Sequence, residues 1–260
     1  NSEWYYQKSR WQVLYSPWPL TNRYPGENVI FFKQFFGDQS VVINDNQPEP
    51  FQQNEFLVKW TSNIAGSDVS ILYASLLSNN PRFSMTTMLN SSTIAFDTEF
   101  PRFNMLVGSA NYSAGKFLWK IETALKQNIQ FQAASNQLGE VWDLAVGTEY
   151  DANGAWNISL ELLNQLFFTS NNQTTLPYRN NSQIVARWSK NWLNETLSTI
   201  VFGSYQVQYG DTVTSLSVSY AIDDNWNAIL VATVFESTDP QSPGQFTKNW
   251  DQITAKVSFS

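Results

Sequence analysis

The 260-residue chain has no cysteine and no histidine. Without Cys there is no disulfide framework, thiolate nucleophile, iron–sulfur site or c-type haem attachment, and without His there is no His-ligated zinc or iron. Ser-His-Asp and Cys-His hydrolases fall with them, and so do His-dependent barrel phospholipases and proteases. Charge is scarce too: Asp, Glu, Lys and Arg supply 14% of the residues, with 22 acidic against 15 basic and a formal net charge of −7. Scattered basic residues in an acidic chain make no face that tracks a phosphate backbone, which excludes nucleic-acid binding. Long apolar runs are also missing. The best, 228–235, has strand length and falls far short of the ~20 residues of a membrane helix. Helical spans are therefore excluded, and strand spans are not. No basic n-region or apolar h-region opens the chain at Asn1, so either a signal peptide has been removed or upstream sequence is missing.

What the chain does have is aromatic side chains, 11 Trp, 11 Tyr and 18 Phe, which exclude disorder. It also alternates apolar and polar residues from end to end. Between positions 117 and 131, Phe117, Trp119, Ile121, Thr123, Leu125, Ile129 and Phe131 fall on one strand face, and Lys120, Glu122, Lys126, Asn128 and Gln130 on the other. The same pattern sets Trp156, Ile158, Leu160 and Leu162 opposite Asn157, Ser159 and Glu161, and Leu216, Val218, Tyr220 and Ile222 opposite three serines. Further strands are predicted over 10–16, 28–36, 55–64, 68–77, 102–112, 140–150, 183–189, 197–209, 225–236 and 250–259. Short turns at 113–115, 151–154 and 223–224 alternate with long polar loops at 37–54, 78–91, 169–181 and 237–248. Tight turns at one end and long loops at the other are the asymmetry of an outer-membrane barrel.

One-faced strands also build soluble β-sandwiches, and the placement of aromatics separates the two. Trp142 and Tyr150 flank a strand on one face, Trp119 stands near the start of another, and Trp156 and Trp226 open two more, as membrane-interface aromatics would. At the C-terminus, Ile253, Ala255, Val257 and Phe259 alternate up to the penultimate residue, the form of an amphipathic closing strand that barrel-insertion machinery reads. The expected fold is all-β: one antiparallel transmembrane β-barrel domain over residues 1–260, with about 12–14 strands in this chain.

Several segments resemble the C-terminal part of a large Gram-negative outer-membrane barrel family of unknown function, itself similar to alginate-export porins. They are Tyr15-Ser16-Pro17, Gly66-Ser67-Asp68-Val69-Ser70 ahead of Asn80-Pro81, Pro101-Arg102-Phe103 leading to Gly108, and the strand from Phe117 to Ala124. Lys120-Ile121-Glu122 stands where that family usually shows Arg-x-Glu, and Lys cannot make the bidentate contact of Arg. Family members are longer, so the resemblance implies an N-terminally incomplete barrel.

The charged residues expected to line the pore are Lys59, Asp68, Lys120, Glu122, Lys126, Asp143, Glu149, Glu161, Arg187 and Lys256. Lys120 and Glu122, two apart on one strand face, are placed to share a polar network. The alternative for each is simple mutual satisfaction in a polar interior. Glu149 with Asp151, or Asp223 with Asp224, could be forced into a glycosidase pair, but Asp151 and the 223–224 pair sit in turn sequences that favour Asp for backbone reasons. Acidic Asp38, Asp45 and Glu49 make no Asp-x-Asp-x-Asp-Gly loop, and no metal or other cofactor is expected.

The expected function is a passive, non-enzymatic outer-membrane pore or export conduit for hydrophilic small molecules or polysaccharide. Its partners would be outer-membrane lipid, the insertion machinery and a periplasmic protein. Two alternatives stand beside it: a barrel passing envelope lipid or hydrophobic compounds, and a secreted soluble all-β protein that stacks sugars on exposed aromatics.

Overall fold

A computed structural model describes residues 2–19, 40–44, 46, 53–79, 82–90, 93–130, 138–168, 179–223, 225–240 and 242–259. Alternating apolar and polar side chains suit the pleat, whose successive Cβ atoms point to opposite sides. The described residues accordingly form sixteen strands: β1 (Ser2–Tyr6), β2 (Ser9–Ser16), β3 (Ser40–Asn44), β4 (Glu55–Ile64), β5 (Ser67–Leu77), β6 (Arg82–Asn90), β7 (Thr93–Glu99), β8 (Arg102–Ala114), β9 (Phe117–Gln130), β10 (Leu138–Asp151), β11 (Trp156–Phe168), β12 (Asn180–Trp192), β13 (Leu197–Gln206), β14 (Asp211–Ala221), β15 (Trp226–Glu236) and β16 (Gln252–Phe259). A single 3-10 turn, Pro243–Phe246, accompanies them.

Thirteen strands make one sheet in the order β1-β2-β4-β5-β8-β9-β10-β11-β12-β13-β14-β15-β16, each antiparallel to its neighbours. This is the wall of an all-β up-and-down architecture, with β1 and β16 as its two edges. The remaining strands form a small sheet, β3-β7-β6, in which β3 runs parallel to β7.

One end of the large sheet carries only tight connections: residues 7–8, 65–66, 115–116, 152–155, 193–196 and 222–225. At 65–66 both positions have positive φ, Ala65 at 51° and Gly66 at 84°, the backbone of a turn that matches strand twist. The opposite end carries 17–54, 78–101, 131–137, 169–179, 207–210 and 237–251, the first two of which contain the small sheet. Below, these are the turn end and the loop end.

Five sequence expectations differ from the structure. The loops assigned to 37–54 and 78–91 contain β3 and β6, and β1 and β7 were not foreseen. Residues 180–181, placed in a loop, belong to β12, and the strand assigned to 197–209 ends at Gln206. Ile129, expected on the apolar face with Leu125, pairs with Gly139 on the other face. The cause is a bulge: Asn128 adopts φ 62°, and the β9–β10 register shifts by one residue beside it. The strand expected over 28–36 and Phe131 lie outside the described residues.

Among the described residues, no second layer packs on the large sheet. The chain exposes 17019 Å², whereas a compact monomer of its 29.7 kDa would expose about 11,600 Å². Its few buried apolar residues, such as Leu77, Phe100, Val141 and Tyr209, gather toward the loop end.

Candidate pore-lining face

Following cross-strand partners through the sheet sorts every residue of the thirteen strands onto one of two faces. Ile121, Val146, Leu162, Ile184 and Tyr205 form one continuous row over five strands, and each is 40% to 50% exposed. Charge is absent from the middle of this apolar face. Its described charged residues are Arg102, Glu140 and Glu236 near the loop end and Lys190 near the turn end. Lys190 Nζ lies over the Trp192 ring, 3.7 Å from its centroid, keeping its stem on the apolar surface.

Many aromatics on the apolar face gather at its margins, while Trp60, 6.5 Å from Trp11, stands mid-strand in β4. Toward the turn end, Tyr150 lies 4.9 Å from Phe117 and 5.3 Å from Trp156, ring centre to ring centre. Phe117 stacks on Trp119 at 6.2 Å, and Trp226 meets Phe259 edge-on at 5.1 Å. Trp142 stands toward the loop end of the same strand as Tyr150, its indole Nε1 donating to Thr123 Oγ1 at 2.6 Å. Trp142 and Tyr150 are eight residues apart, about 26 Å along the strand and about 20 Å once a tilt of ~40° is allowed for. That is comparable with the ~25 Å apolar band of an outer-membrane barrel. Ile253, Val257 and Phe259 occupy the same face of the edge strand β16 and are largely exposed.

All ten charged residues singled out above share the opposite face. Lys59 and Asp68 stand on β4 and β5, with Asp68 Oδ1 accepting from Asn63 Nδ2 at 2.9 Å. Lys120 donates to Glu149 Oε1 at 2.5 Å, and Lys126 pairs with Asp143 Oδ2 at 2.6 Å. Gln165 Nε2 adds a bond to Asp143 Oδ1 at 2.8 Å. The partner of Lys120 is thus a carboxylate across the strand pair, and among the described residues Glu122 on its own strand makes no ion pair.

Glu161 sits directly across from Gly147, which in turn faces Lys120. A Cβ at Gly147 would fall 2.7 Å from Glu161 Cγ, so the glycine makes room for the glutamate to lie along the wall. Arg187 stands on the neighbouring β12, and Lys256 on the edge strand β16. Both ion pairs are about one-third exposed. Lys126→Met is expected to change stability by no more than about 1 kcal/mol, read from denaturant unfolding of the folded protein.

The carboxylates considered for catalysis have structural partners. Asp151 Oδ1 accepts from Gly154 N at 2.7 Å, closing its turn. Asp223 Oδ1 accepts from the backbone N of Asn225 and of Trp226, both at 2.8 Å. Asp224 lies outside the described residues, as do Asp38, Asp45 and Glu49. Among the described residues, no group of three or more Asp and Glu is arranged to hold a metal ion.

No family model matches the sequence, and no curated protein matches it. The resemblance to alginate-export barrels therefore rests on the quoted segments alone. Among solved structures, the chain is similar to a KdgM porin in complex with disordered oligogalacturonate, with a TM-score of 0.34 and 11% identity over 80% of this chain and 92% of that one. Similarity of that extent adds nothing to what the two faces of the sheet display.

Proposed function

We propose that the chain forms the wall of a Gram-negative outer-membrane β-barrel that passes hydrophilic solutes passively. The observation that supports this reading is the contrast between the two faces: one is apolar, uncharged in its middle and rimmed by aromatics, and the other holds the ion pairs. A soluble sandwich buries its apolar face against a second sheet. Here that face is open over thirteen strands, far beyond the few hundred Å² that soluble monomers leave contiguous. Lipid is the environment that stabilises such a surface. On this reading Trp119, Trp142, Tyr150, Trp156 and Trp226 sit at the membrane interfaces. The turn end faces the periplasm, and the ten charged residues line the pore. The strand bearing Ile253, Val257 and Phe259 is what the insertion machinery engages, and a periplasmic partner would meet the tight turns. Small hydrophilic molecules are the first candidates for passage, with export of a polysaccharide as the finer reading that the resemblance supports.

Purification decides between membrane and soluble forms. The native protein is expected to stay monodisperse only in detergent, to migrate differently in gels before and after boiling, and to conduct ions in planar bilayers. Monodispersity in plain buffer would remove the membrane reading, and a folded, inserted protein without conductance would remove the pore.

A further inference from the structure

We infer that the pore favours cations and uncharged solutes and disfavours polyanions, a deepening that rests on the pore reading. Several charges on the polar face are already neutralised. Arg10, Lys120 and Lys126 are spent on Glu3, Glu149 and Asp143. Within the strands, three cations then remain on this face among the described residues, Lys59, Arg187 and Lys256, against six carboxylates: Glu55, Asp68, Glu122, Asp151, Glu161 and Asp211. In the adjoining turns Lys8 and Lys116 add two cations, and Glu195 and Asp223 two carboxylates.

Position matters as much as number. The three remaining cations stand on β4, β12 and β16, each separated from the next by at least three strands of the sheet. An anionic chain needs several basic groups close together to replace its hydration, and no two of these three adjoin. The recess that Lys59 shares with Lys8 and Arg10 near the turn end also holds Asp68. The carboxylates are distributed differently. Glu122 lies between Lys120 and Lys126 on β9, and both lysines turn away to partners on β10. Glu161 lies two strands away on β11, seated over Gly147. Among the described residues neither glutamate makes an ion pair, so together they set an acidic patch on the wall, with Arg187 as the one cation diagonal to Glu161 across β11 and β12. Such a patch raises the local cation concentration and repels anions within about a Debye length, ~8 Å at physiological salt.

The test is the reversal potential of the folded, detergent-purified protein in planar bilayers under a KCl gradient. Wild type is expected to pass K⁺ in preference to Cl⁻. The double variant Glu122→Gln/Glu161→Gln is expected to lower that permeability ratio by about twofold or more, without loss of heat-modifiable folding. Spermine is expected to block the current, and dextran sulfate to leave it unchanged. Anion preference in the wild type, an unchanged ratio in the folded double variant, or block by dextran sulfate would each overturn the charge assignment while leaving the pore intact. Absence of any conductance would overturn the pore reading and this inference with it.

Discussion

Val146→Arg is expected to destabilise the protein in lipid by about 2–4 kcal/mol, whereas Ala145→Arg, one residue away, should change stability by less than about 0.5 kcal/mol. Both lie mid-strand in β10. Val146 sits in the exposed apolar row between Ile121 and Leu162, and Ala145 faces the polar side between Glu122 and Leu163. On the proposed reading, a guanidinium at the first position meets acyl chains near the middle of the band, at the depth where its desolvation is greatest. At the second it faces the polar side and, directly across the strand pair, a glutamate with no ion-pair partner among the described residues. Reversible denaturant unfolding from lipid vesicles measures the difference. The sign is diagnostic, because in a water-soluble protein an arginine replacing exposed Val146 would be neutral or would improve solubility. Equal stabilities for the two variants in vesicles would end the lipid-facing assignment.

Tyr150→Ala should cost about 2–3 kcal/mol. Its ring contacts Phe117 and Trp156, and each aromatic pair is worth about 0.5–1.5 kcal/mol beyond the area it covers. Among the described residues Trp119 touches the same cluster only through Phe117, so Trp119→Ala is expected to cost less than Tyr150→Ala. Unfolding midpoints of the two variants in the same vesicles provide the comparison. If Tyr150→Ala were the milder of the two, the cluster would not be organised around Tyr150.

How far the sequence could be read depended on where period 2 survived. The β4 strand is uninterrupted, and its predicted bounds, 55–64, coincide with the observed ones. β9 followed the alternation until Asn128, where a single left-handed residue moved Ile129 to the other face. Nothing in the composition of that segment announces the change. β6 was missed for a related reason, since its pairing with β7 shifts register at Met85/Thr87 and again at Met88/Asn90, so no face repeats long enough to be seen. β3 is only five residues and pairs in parallel with a strand some fifty positions on, a contact beyond any local pattern.

The charged face was legible because alternation alone assigns faces, and all ten residues share one face of the sheet. Their pairing was not. The choice of Glu149 rather than Glu122 for Lys120 follows from the β9–β10 register, which depends on the connection at the loop end and on the bulge. Gly147 escaped notice as well. Its role is steric room for Glu161, which becomes visible only once two strands lie side by side.

The odd number of strands in the large sheet has a directional consequence. Each neighbour reverses the chain, so after thirteen strands β1 and β16 run the same way, both from the loop end toward the turn end. A seam made directly between them would be parallel, with slanted, evenly spaced hydrogen bonds unlike those of every other step in the wall. An all-antiparallel seam instead requires an odd number of strands to stand between the two edges.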